Sequence, residues 1–298
     1  MRKLIIGTLL LLLPIICFGQ LVKTSMTYAQ PVAAGSSYTD EYQALLTIWA
    51  TDPVGDTLTY QNTLIDSLLT YPVGDVFWDR AEILYVAANN NEDNAKVNWL
   101  NPGTFDITDP GGTEPTFTRY QGWTGDGSTD YLSTNWDISD SVNVGRFNLS
   151  AGVYLRIEQE SDGWIYGWNS SPGSDLLYRP HDVANGGWGN SRINATTDQL
   201  DTDAATSQGF FINTRRSNTD IEMYRNGSTL DSESDVTSAT ASSDCYLLAY
   251  RLDNGTSGGH SSNQIAIFFI IDGITDAEAL QLNRFFETYM EAIGSEVQ

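Results

Sequence analysis

The 298-residue chain carries 38 Asp and Glu against 15 Lys and Arg, a formal charge of −23, which repels phosphate backbones and argues against nucleic acid as a partner. Two cysteines, Cys17 and Cys245, cannot build a disulfide scaffold, so packing must hold a chain that is 41% hydrophobic. His181 and His260 lie far apart without ligand-spaced companions, which argues against zinc.

The chain opens as a targeting segment. Met1-Arg2-Lys3 is basic, Leu4 to Cys17 is an apolar run, and Cys17-Phe18-Gly19 ends it on a small residue. This is the layout of a secretory signal peptide over residues 1–19, with cleavage after Gly19. The run is short of the roughly 20 residues a bilayer span needs, so no stable transmembrane anchor remains after cleavage. Retention as an anchor and acylation of Cys17 are the other readings of the same layout. Cleavage removes two basic residues and no acidic one, leaving a still more acidic chain that is secreted or displayed at the cell surface. The acidity serves solubility or attracts calcium. Cys245, in the strand-like run CYLLAY, reads as a buried small hydrophobe.

Residues 20–38 are a polar linker. A helical region is predicted over 39–90. Thr39 caps a first helix with Tyr42, Leu45, Leu46 and Trp49 on one face, and Asp56 caps a second with Leu58, Leu64, Ile65, Leu68 and Leu69. A third runs from about Val76 to Ala88. Such helices cannot bury their faces alone, so they pack on the following domain as a lid or join partner subunits in a homo-oligomer.

From 91 to 298 the hydrophobic period switches to two. Candidate strands fall at 116–121, 129–134, 147–157, 163–169, 175–179, 209–214, 219–225, 244–251 and 264–271, separated by turns such as SDG (161–163), NGG (185–187) and RNG (225–227). Many short strands without interleaved long helices predict an antiparallel β-sandwich. The segment Thr116 to Trp136, with Gly122, Gly125 and Gly127, is its entry strand and corner. A terminal helix over 275–293 starts at the capping box Thr275-Asp276-Ala277-Glu278, turns Ala277, Leu280, Phe285, Tyr289 and Ile293 inward, and closes at Gly294.

The runs WDRAEILYVAANN (78–90), NWLNPGT (98–104), PTFTRYQGWTGDGSTDYL (115–132), IEMYRNG (221–227), YLLAYR (246–251) and ITDAEALQLNRFFETYMEAIG (274–294) together resemble concanavalin A-like, LamG-type jelly-roll proteins. They are most similar to a phage- and prophage-associated group with virion surface or tail-associated roles. The resemblance spans roughly residues 76–295. It implies a two-sheet jelly roll with glycan-binding or structural relatives and carries over no catalytic residue. The leader's closing FGQ looks like signal peptides of Bacteroidota, which keeps a bacterial surface protein in view.

Glycosidases on this jelly roll set two carboxylates across a cleft. Glu158, Glu160 and Asp162 are the nearest candidates, but Ser161-Asp162-Gly163 reads as a hairpin turn that breaks the shared face. Gly255-Thr256-Ser257-Gly258-Gly259 matches the hydrolase elbow G-x-S-x-G with His260 following, yet it lies between β strands where the elbow needs a strand-to-helix turn. Asp126, Ser128 and Asp130 offer alternating oxygens to calcium, or brace their own turn. Trp164, Tyr166 and Trp168 alternate along one strand and could dock a sugar ring or fill the core. Arg179, His181, Asn190 and Asn185 could form the polar rim, with Trp188 as the best surface aromatic. The expected function is a non-catalytic, secreted or surface-displayed module that binds a carbohydrate or cell-surface polymer. A phage virion structural protein and a glycan-cleaving enzyme on the same fold are the rivals.

Overall fold

Thr39 accepts a hydrogen bond from the Tyr42 amide at 3.2 Å and opens α1 (Asp40–Ile48), as its position before an acidic first turn predicts. The computed structural model describes residues 38–71, 76–111, 113–159, 163–169, 175–180, 189–195, 200–202, 206–234 and 243–297. Gly55, at φ 64°, rather than Asp56, caps α2 (Asp56–Thr70). Next come α3 (Phe77–Arg80), β1 (Ala81–Val86), α4 (Glu92–Ala95), β2 (Thr116–Thr118), β3 (Gly122–Thr124), β4 (Leu132–Asp137) and β5 (Leu149–Leu155). The middle of the chain supplies β6 (Tyr166–Asn169), β7 (Asp175–Arg179), β8 (Gly189–Ala195), β9 (Leu200–Thr202), β10 (Gly209–Arg215), β11 (Ile221–Arg225) and β12 (Ser228–Glu233). It finishes with β13 (Asp244–Leu247), β14 (Tyr250–Leu252), β15 (Ser257–Gly258), β16 (Gln264–Ile271) and α5 (Asp276–Ala292).

These strands form a two-sheet β-sandwich. The first sheet runs β12-β11-β10-β5-β16-β3-β2, with β1 also paired to β16. The second runs β15-β14-β6-β7-β8-β9, with β13 joining β4 to β6. Pairing is antiparallel except between β14 and β6. The RNG turn closes a two-residue hairpin, since Arg225 pairs with Ser228 while Asn226 and Gly227 both take positive φ.

The two layers of core divide the first sheet face by face. Ile83, Tyr85, Val153, Phe211, Phe268 and Ile270 point to the second sheet. Leu84, Val86, Tyr154, Phe210, Ile267 and Phe269 point the other way, against α1, α2 and α5. A strand buried on both faces loses polar alternation, which is why β16 reads QIAIFFII with every residue buried. The same double burial makes β1 a strand where the sequence predicts the end of a third helix, for AEILYV fits either period.

The α1–α2 helices are a fixed part of the sandwich. The Tyr42 hydroxyl donates to Gln61 Oε1 at 2.8 Å, and Gln61 Nε2 donates to Asn89 Oδ1 at 3.2 Å, a buried chain from helix to sheet end. On α5 the capping box forms as predicted, but the buried face is Ala279, Leu282, Phe286, Tyr289 and Met290. That set keeps the three-and-four spacing of a helical stripe, whereas the predicted face breaks it between Leu280 and Phe285 and leaves Leu280 at 39% exposure. The predicted strand 244–251 divides at Leu248, which takes φ 62°, and 116–121 is the start of a β2–β3 hairpin. Among the described residues no helix is long and apolar enough to cross a membrane.

Candidate functional site

Helices seal the outer face of the first sheet, and the gap between the sheets lined by Tyr85, Trp123 and Phe268 has no room for a water molecule. Register places Ser133, Tyr246, Gly167, Leu177 and Arg192 in one outward row across β4, β13, β6, β7 and β8, and all of these but Arg192 are buried. The neighbouring row of Leu132, Leu247, Tyr166 and Tyr178 faces the core. Gly167 is obligatory in the outward row. It sits at φ 145°, and a Cβ there would lie 1.8 Å from the Leu176 carbonyl oxygen. Gly167→Ala is expected to cost about 3 kcal/mol, the upper end for overpacking, seen as a lower urea midpoint.

The predicted aromatic trio splits. Tyr166 and Trp168 are fully buried on the core face, with no ring face free for a sugar. Trp164 precedes the strand, 8% exposed, and lies on the outer side. The Arg179 guanidinium stands 4.6 Å from its ring centre and that of Arg192 5.9 Å, while Tyr250 meets it edge-on at 6.2 Å. Asn190 Oδ1 accepts from Arg179 Nε at 2.8 Å, and Asp175 holds Arg192 at 2.7 Å. Trp164, Arg179 and Asn190 thus form one cluster. Trp188, His181 and Asn185 lie outside the described residues, as do Glu160 and Asp162.

The GDGSTDYL corner packs beside this cluster. The Asp126 carboxylate accepts five hydrogen bonds, from the amides of Ser128, Thr129 and Asp130 and the hydroxyls of Ser128 and Thr129, at 2.6–2.9 Å. Burial works to raise its carboxyl, but the Ser128 hydroxyl and these amides outweigh it and hold it well below the ordinary carboxylate range. Both Asp126 oxygens thus brace the turn that the sequence predicts here. Among the described residues no group of three or more His, Cys, Asp or Glu is placed to hold a metal ion.

From this corner Tyr131 reaches Tyr246, ring centres 5.0 Å apart, and His260 at 5.8 Å. The loop that carries His260 is the G-x-S-x-G stretch. It turns the β14–β15 hairpin and supplies β15 itself, and it places Ser257 Oγ 2.9 Å from His260 Nε2. Two glycines make the approach possible: a Cβ on Gly125 would lie 2.1 Å from the Ser261 carbonyl oxygen, and one on Gly163 2.3 Å from that of His260. Half-buried Tyr131, Tyr250, His260 and Arg179 gather around buried Trp164 in an aromatic and polar cluster on one side of the sheet. Glu158, the described member of the acidic trio, is tied down by the Ser207 amide at 2.8 Å and by the Thr206 hydroxyl.

No protein-family profile matches the chain, and no curated protein matches it either. Among solved structures it is similar to the receptor-binding domain of botulinum neurotoxin D, at 13% identity, 70% of this chain, 53% of that one and a TM-score of 0.46. The binding domain of botulinum neurotoxin DC in complex with rat synaptotagmin II aligns at 11% identity over 70% of this chain and 52% of that one, TM-score 0.46. A mutant Trypanosoma rangeli sialidase displaying trans-sialidase activity aligns at 10% identity over 78% and 38%, TM-score 0.49. The chain spans about half the length of the neurotoxin chains and less of the sialidase. Likeness at this level carries no function across.

Proposed function

We propose that this chain is a secreted or surface-displayed carbohydrate-binding module that engages its ligand on the outer side of the second sheet. The carrying observation is the assembly of half-buried Tyr131, Tyr250, His260 and Arg179 around buried Trp164 and Asn190 beside the second sheet. Aromatic rings offer apolar faces to the C–H patches of a sugar, while guanidinium, amide and imidazole groups around them bond its hydroxyls. Arg179, stacked on Trp164 and held by Asn190, is pre-oriented, which lowers the entropy lost on binding. Cleavage of glycosidic bonds is not part of this reading, because Glu158 is committed to the 206–207 turn.

A glycan array followed by calorimetry on the best sugar tests the proposal. Tyr250→Ala and Trp164→Ala are each expected to weaken binding tenfold or more, about 1.4 kcal/mol. Full-strength binding by both variants would move the site elsewhere, and silence of the wild-type chain on every sugar would remove the reading.

A further inference from the structure

The Tyr131 side chain makes ring contacts and no hydrogen bond among the described residues, so its backbone decides where the ring stands. That backbone is pinned from two sides. Downstream, β4 begins at the next residue, where Leu132 pairs with Leu247 and Ser133 with Tyr246. Upstream, residues 125–131 belong to no strand or helix, and Gly125-Asp126-Gly127 includes Gly127 at φ 73°. A stretch so rich in glycine has the most backbone freedom to lose, so it needs a brace to keep one conformation.

Asp126 is that brace. Its Oδ1 accepts the amides of Ser128, Thr129 and Asp130 at 2.8, 2.8 and 2.9 Å, and its Oδ2 accepts the hydroxyls of Ser128 and Thr129 at 2.6 and 2.9 Å. The third amide belongs to the residue directly before Tyr131, so one carboxylate sets the direction in which the chain enters the ring. Burial acts the other way, but these donors keep the carboxyl well below the ordinary range, and bonds to an ionised acceptor are stronger than neutral ones. All five bonds stay within residues 126–130.

We propose that Asp126 is a positioning residue of the ligand surface: by bracing residues 126–130 it holds the Tyr131 ring against Tyr246 and His260 and so forms one wall of that surface in advance. Its part in binding rests on the carbohydrate reading; the geometry does not. A wall already in place loses less freedom when a sugar docks on it. Without the brace Tyr131 takes up other positions, and each sugar must order the ring again. Asparagine at this position keeps an oxygen for the three amides, and its Nδ2 donates to the two hydroxyls, which rotate to accept. It therefore preserves the wall where alanine does not.

The full chain, carbon-13 labelled in its Tyr and His rings, is studied by NMR as the wild type, Asp126→Ala and Asp126→Asn. Cross-peaks from the Tyr131 ring to Tyr246 and His260 are expected in the wild type, lost in Asp126→Ala and kept in Asp126→Asn. Those between Tyr166 and Tyr178, whose buried rings lie 5.6 Å apart, stay unchanged and report an intact core. Should Asp126→Ala fail that control, the Ser128→Ala/Thr129→Val double variant, which removes both hydroxyl donors from exposed positions, carries the test with weakened cross-peaks. Each protein is then titrated with methyl β-galactoside, methyl α-mannoside and N-acetylglucosamine. For a sugar that the wild type binds, Asp126→Ala is expected to weaken binding about threefold to tenfold and Asp126→Asn less than about twofold. Tyr131 cross-peaks that survive in Asp126→Ala, or full-strength binding despite their loss, would overturn the proposal. Weakened binding with the cross-peaks intact would overturn it too, because Asp126 would then act on the sugar directly. Silence of the wild type on all three sugars would tell against the carbohydrate reading, while the cross-peaks alone decide the positioning.

Discussion

Phe269→Ala is expected to cost about 3–5 kcal/mol of folding free energy, measured as a lower urea midpoint with little change in slope. Phe269 is fully buried between the first sheet and its helices. Its ring lies 5.3 Å from Phe77, 5.6 Å from Phe286 and 6.1 Å from Phe210, centre to centre. These neighbours belong to α3, α5 and β10, three elements anchored independently, so truncation leaves a cavity that cannot easily collapse. The space exists because Gly152 stands opposite Phe269 in register, where a Cβ would lie 2.2 Å from the ring. Loss of less than about 1 kcal/mol would mean that the helices do not pack tightly on this face.

The same packing explains what could be read in the sequence. Strands with a polar partner every second residue, or bounded by turn residues, announced themselves: DLLYR and IEMYRNG kept their predicted places. The Thr275 capping box marked the start of α5 because its two bonds are local. β1 was hidden by burial on both faces, which erased alternation and left a run that fits a helix. The buried face of α5 was misread for a related reason: Phe285 and Leu280 are as apolar as the residues that do pack, and only the sheet beneath selects among them.

The candidate site was legible piece by piece and not as a whole. GDGSTDYL and GTSGGH each stood out by composition, yet only the fold brings Tyr131 to His260 across about 130 positions. Turn chemistry foresaw a brace in Asp126, and its five hydrogen bonds supply one. Alternation placed Trp164 with Tyr166 and Trp168, but the strand begins at Tyr166, so Trp164 turns outward to carry Arg179. Tyr246 and Tyr250 carried no signal beyond being aromatic in a strand.

Arg80→Met is expected to cost about 3–5 kcal/mol at neutral pH, with a deficit that narrows as the solution is acidified. Arg80, on α3, joins Asp272 at the end of β16 to Glu278 in the first turn of α5, and also donates to the Gly273 carbonyl at 3.2 Å. Its side chain is 10% exposed and that of Glu278 12%, so the pair is shielded from solvent. Burial works to raise the Glu278 carboxyl, but Arg80 and the Thr275 donors outweigh it and hold the carboxyl below its ordinary value of 4.5. A depressed folded-state value means stability that is fully present above about pH 4.5 and is lost as pH falls through the lower folded value. Methionine fills similar volume without the charge, so Glu278 keeps its burial and loses its cation. Its carboxyl then rises, and protonation on acidification relieves the variant at a pH where the wild-type ion pair still holds. Urea titrations at pH 7, 5 and 4 should therefore show a gap that shrinks stepwise. A gap of constant size would show that Arg80 acts by its packed stem alone, and a gap that grows on acidification would reverse the assignment of the charge it holds.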